Sequence, residues 1–186
     1  MKKILLSTLL ISSFLTLSSC GDKKGERTGL PKVEESVKDE NKGLVVTLEG
    51  IFPVNDTYQL FYSISDQFDE EKSLKIPVYG QPVLQKIVFE IPNEEKPQNL
   101  RLDFGSNDEQ QYVSVKNISI EYMDRVILNG ENGKFLEFFQ ENSTVVYLPQ
   151  KLKLELKKNA EGIFDPILFS NENLKKILNK TYNETK

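Results

Sequence analysis

Short runs of alternating apolar and polar residues begin at Gly43 and continue to Tyr122. The runs are separated by Pro, Gly, Asn and Asp, the residues that favour turns. They predict six strands, near residues 44–49, 58–65, 74–79, 83–91, 99–104 and 112–122. Strands spaced this closely, with no helical pattern between them, favour an antiparallel β-sandwich.

The sixth predicted strand changes its alternation part-way along. Val113 and Val115 occupy odd positions, whereas Ile118 and Ile120 occupy even ones. One extra residue would restore a common inward face, so we predict a β-bulge near residues 116–117.

The pattern after residue 122 is less regular. Apolar residues at helical spacing predict a short internal helix over 135–139, and two further strands are predicted at 144–148 and 151–157. A C-terminal helix is predicted to begin after Ser170 or Asn171. Its apolar stripe consists of Leu174, Ile177, Leu178 and Tyr182. The predicted fold class is therefore mainly β, with a single antiparallel sandwich domain over residues 43–186.

The start of the chain has a different pattern. Lys2 and Lys3 precede an apolar run over residues 4–17, which is followed by two serines and Cys20. These are the parts of a secretory signal peptide, and the run is too short to cross a bilayer, which takes about 20 residues. Leu17-Ser18-Ser19-Cys20 resembles the lipobox of bacterial lipoproteins; the alternative is an ordinary signal peptide that leaves a cysteine nearby.

The lipobox resemblance implies cleavage before Cys20, a diacylglycerol on its sulfur and an acylated amino terminus. Several acyl chains hold a protein on a membrane almost permanently. Residues 1–19 are thus the predicted signal peptide. Residues 20–42 are predicted to be the lipidated cysteine and a flexible tether, because they are charged and poor in apolar side chains. An acidic residue at position 21 would signal inner-membrane retention. Gly21 therefore favours the outer membrane of a Gram-negative cell envelope.

Composition narrows the chemistry that the chain can perform. It contains no histidine and one cysteine, which excludes Ser-His-Asp and Cys-His nucleophilic systems and the usual histidine-containing zinc sites. The net charge of −4 becomes −6 when Lys2 and Lys3 leave with the signal peptide, so nucleic acid is not an expected partner. Phosphate-binding glycine patterns are missing from the sequence, and no cofactor is expected.

Carboxylates are the remaining candidates for chemistry. Asp66, Asp69, Glu70 and Glu71 lie between two predicted strands and could supply part of a calcium site. The segment lacks the alternating ligands and the glycine of an EF-hand loop. A solvated turn is therefore the interpretation that we favour.

Three further carboxylates, Glu90, Asp103 and Glu121, lie on predicted strands. A glycosidase needs two such groups about 5 to 9.5 Å apart. Arg101 and Asp103 are more simply explained as neighbours on one solvated face. We therefore assign no catalytic residue.

Residues 99–120 resemble a stretch of galactose-binding-like jelly-roll modules. In those modules an Arg-apolar-Asp-Pro turn precedes a strand of alternating Val and Ile; here Arg101-Leu102-Asp103-Phe104 precedes the strand over 113–120. Phe104 stands where those modules have proline. The resemblance implies a jelly-roll-like sandwich, and such modules often accompany bacterial carbohydrate enzymes.

Aromatic side chains on predicted strands are candidates for stacking against sugars. The simpler interpretation of each is partial burial with the hydroxyl at the rim. They are Tyr58, Tyr62, Tyr79, Tyr112 and Tyr122. The phenylalanines of segment 135–139 are interpreted as core residues.

The sequence favours a non-catalytic sandwich, held on a membrane through Cys20, that binds a glycan or an envelope protein. Two alternatives stay open. One is a carboxylate-dependent carbohydrate-active enzyme, and the other is a structural or assembly lipoprotein of the envelope.

Overall fold

Apolar residues of two antiparallel sheets meet in one core in the computed structural model, which describes residues 43–184. The strands are β1 (Leu44–Ile51), β2 (Asp56–Ser63), β3 (Ser73–Val78), β4 (Gln85–Glu90), β5 (Asn99–Asp103), β6 (Tyr112–Tyr122), β7 (Arg125–Asn129), β8 (Phe139–Glu141), β9 (Val145–Leu148), β10 (Lys153–Leu156) and β11 (Ile167–Ser170). The helices are α1 (Glu172–Glu184) and two 3-10 turns, Glu131–Glu137 and Pro149–Lys151.

The first sheet has the strand order β4-β1-β6-β10-β9, with β7 also paired to β6. The second sheet has the order β3-β2-β5-β11-β8. Every strand pair is antiparallel. The chain crosses from one sheet to the other at seven connections: β1 to β2, β3 to β4, β4 to β5, β5 to β6, β7 to β8, β8 to β9 and β10 to β11. The predicted mainly β antiparallel sandwich is confirmed.

Apolar residues at alternate positions of the strands form the core. Leu44, Val46 and Leu48 of β1 are fully buried, as are Leu100 and Leu102 of β5 in the facing sheet. Each fully buried side chain of this size contributes about 1.5 to 3 kcal/mol. Layers of this kind are sufficient to hold a sandwich together without a disulfide.

The predicted bulge in β6 is confirmed. Glu49 pairs with Asn117 and Gly50 with Val115, which leaves Lys116 as the extra residue. The bulge lets the valines and isoleucines of β6 face the same core despite their change of parity.

The predicted short internal helix is a 3-10 turn, Glu131–Glu137, that begins four residues earlier than expected. Asn132 and Gly133 have positive φ angles of 58° and 82° inside it, so a regular α-helix cannot pass through this point. A Cβ on Gly133 would lie 2.2 Å from the hydroxyl of Tyr147, which explains the glycine. Phe139 belongs to the following strand, β8.

The C-terminal helix is confirmed at α1. The side-chain Oδ1 of Asn171 accepts the backbone N–H of Asn173 at 2.9 Å, a hydrogen bond typical of a helix start. Leu174, Leu178 and Tyr182 are buried against the sandwich. Neither α1 nor any other described helix combines the length and the apolar character needed to span a membrane.

Other boundaries differ from the prediction. Strands β7, β8 and β11 were not predicted, and β10 begins two residues later than expected, after the turn at Pro149–Lys151. The strand predicted near residues 58–65 ends at Ser63, and Ile64 beyond it is 75% exposed.

Candidate functional site

The outer face of the second sheet carries an unusual row of side chains. The strand register places Phe61 of β2 beside Arg101 of β5, and Arg101 beside Phe169 of β11. Gln140 of β8 is next in the row. Side chains at directly opposite positions are close enough to interact. We use the name Arg101 surface for the set Phe61, Phe68, Arg101, Asp103 and Phe169.

Arg101 and Asp103 share this face because they are two positions apart on one strand. Arg101 donates from Nε to Oδ1 of Asp103 at 2.8 Å and from Nη2 to Oδ2 at 2.6 Å. Two parallel bonds fix the plane of the guanidinium. The side chains are only 25% and 14% exposed. Arg101 and Asp103 are thus neighbours on one face, as predicted, but the pair is largely buried and not solvated.

Aromatic rings surround the guanidinium. Its carbon lies 4.7 Å from the ring centroid of Phe61 and 6.0 Å from that of Phe169, at distances where a cation is attracted to a ring face. Phe68, from the loop between β2 and β3, places its centroid 6.3 Å from Phe61 and 6.4 Å from Phe169. The loop therefore partly covers the row, while Phe68 and Phe169 stay partly exposed.

Polar groups border the rings on the side of β3. Gln59, opposite Asp103 in the register, donates from Nε2 to Glu70 at 3.1 Å and to Ser73 at 2.9 Å. Lys75 forms an ion pair with Glu70. Hydrogen bonds from Lys75 and Gln59 lower the pKa of Glu70. This border offers both donors and acceptors beside the aromatic rings.

A cleft of about 330 Å³ extends the row on its other side. It lies between β8 and the first turn of α1, and its lining includes Gln140, Asn171 and Lys175. Because Gln140 is the next side chain after Phe169, the Arg101 surface and the cleft form one continuous stretch across the second sheet.

Burial raises the pKa of Asp103 from 3.8 to about 6. The hydrogen bond and charge of Arg101 act in the opposite direction, and the negative charges of Asp165 and Glu70 add to the rise. Asp103 therefore binds a proton at a higher pH than a solvated aspartate does, in spite of its arginine partner.

The other two candidate carboxylates lie on the first sheet. Glu90 and Glu121 flank Val45 in the register of β4, β1 and β6. They are thus two strand spacings apart, or about 10 Å. Asp103 is on the outer face of the other sheet, across the core. The structure brings Glu90 and Glu121 into one row and pairs neither of them with Asp103.

Three of the four acids of the candidate calcium loop have separate partners, and the fourth, Glu71, is exposed. Asp66 accepts a hydrogen bond from the ammonium group of Lys175 at 2.7 Å. Asp69 accepts one from the backbone N–H of Glu71 at 3.0 Å. Glu70 belongs to the border of the Arg101 surface. Within residues 43–184, no three His, Cys, Asp or Glu side chains are grouped so that they could hold a metal ion. Binding of calcium here would require the loop to rearrange.

The candidate tyrosines fall into two groups. Three are buried in the core: Tyr58, Tyr62 and Tyr122. Tyr79 and Tyr112 are exposed, and the ring of Tyr112 lies 3.8 Å from Nζ of Lys153 on the first sheet. None of the five belongs to the Arg101 surface. Phe135 and Phe139 are buried, which confirms that they are core residues.

The three phenylalanines of the Arg101 surface were not predicted as site residues. Phe61 lies between Leu60 and Tyr62, which face the core, so an apolar residue at the intervening position was the available signal. Phe68 lies in an acidic loop, and Phe169 lies on a strand that was not predicted.

Cys20 and the tether over residues 20–42 lie outside the described residues, as does the signal peptide over 1–19. No family model matches the chain, and neither a curated protein nor a solved structure matches it. Its function must therefore be argued from the site itself, because a sandwich fold hosts many functions.

Proposed function

We propose that the protein is a lipid-anchored lipoprotein of the cell envelope whose sandwich domain binds a glycan, without catalysis, through the Arg101 surface. The anchor is supported by the lipobox sequence that ends at Cys20. Gly21 supports attachment to the outer membrane. The binding function is supported by the side chains on the outer face of the second sheet.

The observation that carries the glycan proposal is the guanidinium of Arg101, which Asp103 fixes between the rings of Phe61 and Phe169. A sugar ring has an apolar C–H face that packs on aromatic rings and hydroxyl groups that pair with planar polar groups. Both kinds of partner lie side by side on this surface. Because the pair already fixes their positions, little side-chain freedom is lost when a ligand binds.

The charges around the surface favour a neutral glycan. Asp165 and Glu70 lie close enough to Asp103 to raise its pKa, and the positive charge of Arg101 is already balanced by Asp103. The domain is also acidic as a whole. A sulfated or uronic polymer would therefore be repelled.

The binding proposal is tested with the mature chain, residues 20–186, carrying Cys20→Ser so that it stays free of lipid. It is screened against neutral and anionic glycans, and the best ligands are titrated by calorimetry. Arg101→Lys keeps the charge but loses the two parallel hydrogen bonds, so affinity should fall at least about tenfold. Arg125→Lys, on β7 of the other sheet, is the matched control and should bind normally.

Two results would contradict the binding proposal. One is the lack of binding to any glycan in the screen. The other is capture of an envelope protein that Arg101→Lys abolishes, which would assign the surface to a protein partner.

The anchor is tested separately by mass spectrometry of the protein from its native membranes. We expect an amino-terminal Cys20 that carries a diacylglycerol and an amide-linked acyl chain. Cys20→Ala should move the protein out of the membrane fraction. An unmodified, cleaved chain in the soluble fraction would contradict the anchor.

The raised pKa of Asp103 favours a second candidate function, a carboxylate-dependent carbohydrate-active enzyme. A carboxyl that keeps its proton to about pH 6 is suited to general acid catalysis. In the structure both of its oxygens are engaged by Arg101, so proton transfer would require release of that pair. Cleavage of a bound glycan, lost in Asp103→Asn, would support the enzyme; intact glycan after prolonged incubation would end it.

A further inference from the structure

The loop between β3 and β4, residues 79–84, exposes three large apolar side chains at one end of the sandwich. Tyr79, Val83 and Leu84 are 67%, 52% and 55% exposed. We call this segment the apolar loop. Scattered single apolar residues are normal on a protein surface, and several within one short loop form a candidate interaction surface.

The apolar loop is held firmly in place. The backbone N–H of Gly80 donates to Oδ1 of Asn55 at 2.7 Å, and that of Gln81 donates to the carbonyl oxygen of Phe52 at 2.9 Å. A Cβ on Gly80 would lie 2.6 Å from a backbone oxygen of Pro53, so the two loops touch. Its apolar side chains are therefore presented by a fixed backbone.

The apolar loop and the segment that it touches carry no charge. Residues 76–85 contain no charged side chain, and neither does the neighbouring segment 51–55, although 28% of the chain is charged. Charges lie beside them at this end of the sandwich, on Asp56, which pairs with Val78, and on Asp108 and Glu109 of the β5–β6 loop, which contacts Asn55. Moving a charged group out of water has a large unfavourable free energy. A loop without them, with a tyrosine at its edge, fits the boundary between lipid headgroups and acyl chains, where tyrosine is enriched.

A second copy of the chain is a poorer fit. The three exposed side chains together present on the order of 300 Å², if a full aromatic side chain is taken as 150 to 250 Å². A stable protein interface takes about 800 Å² from each partner. A bilayer has no such requirement, because it adapts its shape to whatever is inserted.

The position of the apolar loop permits contact with the membrane that would hold Cys20. Strand β1 runs from Leu44 to Ile51, and Gln85 of β4 pairs with Gly50 near its far end. The apolar loop thus lies about 27 Å from Gly43, one strand length away. The 22 residues between Cys20 and Gly43 can extend to roughly 70 to 80 Å, so the domain can turn this end toward the same bilayer.

We propose that the apolar loop inserts into the headgroup–acyl boundary of a lipid bilayer and orients the domain on the membrane. The orientation rests on the proposed lipid anchor, which keeps the bilayer within reach. Because the apolar loop is uncharged, insertion depends on apolar burial. It should therefore occur on neutral vesicles and persist at high salt.

The chain contains no tryptophan, so one introduced indole reports on its own surroundings. The mature chain with Cys20→Ser and Leu84→Trp is mixed with vesicles of phosphatidylcholine, and separately with vesicles that contain phosphatidylglycerol. We expect a blue shift of the emission on both, unchanged in 0.5 M salt. Met123→Trp, at an exposed position in the turn between β6 and β7 at the opposite end, should show none.

Flotation of the same lipid-free chain gives a second measurement. Val83→Ser/Leu84→Ser should reduce vesicle-bound protein at least about fivefold, whereas Met123→Ser should leave it unchanged. Neither change should affect folding, because all three side chains are exposed. Since Cys20 is absent from this protein, the result does not depend on whether the native chain is lipidated.

Three results would overturn the proposal. One is the lack of a shift and of flotation at about 1 mM lipid. The second is binding that 0.5 M salt abolishes, which would show that membrane contact depends on electrostatic attraction. The third is dimerisation in solution that Val83→Ser/Leu84→Ser removes, which would assign the apolar loop to a second copy of the chain.

Discussion

The two outer faces of the sandwich are built from strands of the same kind but carry different side chains. Across the middle of the first sheet, Val88, Thr47 and Ser119 form a row of small residues. Across the second sheet, the corresponding row is Phe61, Arg101 and Phe169. The first sheet shows that the middle row of an outer face in this sandwich can be built from small side chains. The aromatic rings and the fixed cation of the second sheet are therefore not a requirement of the fold.

The two outer faces also differ in how deeply their side chains are buried. Phe61 and Ile167 of the second sheet are buried, yet they lie outside the main core cluster. Phe68 of the β2–β3 loop contacts Phe61 from above. The second sheet thus has a small apolar cluster of its own, around the Arg101–Asp103 pair.

The largest expected difference between the faces is in stability. Phe61→Ala should lower the free energy of unfolding by about 3 to 4 kcal/mol, because it leaves a cavity beside the guanidinium. Val88→Ala, in the equivalent layer of the first sheet, should lower it by about 1 kcal/mol or less. Urea unfolding of both variants measures the difference. Equal losses of unfolding free energy in the two variants would mean that the outer apolar cluster does not stabilise the fold.

The pH dependence of stability should also differ between the faces. The folded pKa of Asp103, about 6, exceeds its reference value of 3.8, so between these values the folded state binds more protons than the unfolded state. The contribution of this group to stability therefore falls as pH rises from 4 to 6, by on the order of 2 kcal/mol. It should level off near pH 7, where the folded carboxyl is also ionised.

The wild type and Asp103→Asn are compared by urea unfolding at pH 4, 5, 6 and 7. The difference between their free energies of unfolding should change most across pH 4 to 6 and level off toward pH 7. Glu121→Gln, on the first sheet, is the control. Parallel profiles for the wild type and Asp103→Asn would contradict the perturbed carboxyl.

The smallest effects are expected from the carboxylates of the first sheet. Glu90→Gln and Glu121→Gln should each change the free energy of unfolding by less than about 0.5 kcal/mol, and neither should alter glycan affinity. A loss of binding or of turnover in either variant would indicate that the functional site lies on the first sheet and not on the second.

Much of the fold could be predicted because its signals are local. Alternation between turn residues located six strands, and the parity change between Val115 and Ile118 located the bulge at Lys116. The stripe of α1 fixed the last helix. Strands β7, β8 and β11 have three to five residues each, too few for an alternating pattern to be distinguished from a loop.

The Arg101 surface could not be predicted because it depends on register between distant strands. Arg101 was recognised, but its neighbours Phe61 and Phe169 come from β2 and β11, and Phe68 comes from a loop. Nothing local in the sequence states which residues of separate strands lie opposite each other. The burial of the ion pair, and the raised pKa that follows from it, depend on those contacts.

The central claim is that the Arg101–Asp103 pair serves binding and is not needed for folding. Replacement of a buried ion pair by apolar side chains of similar volume is often neutral for stability. Arg101→Met/Asp103→Leu should therefore keep the free energy of unfolding within about 1 kcal/mol of the wild type. Calorimetric titration of this folded variant with the glycan identified for the wild type is the most direct test. We predict an affinity at least about tenfold lower; unchanged affinity would contradict the assignment of this surface.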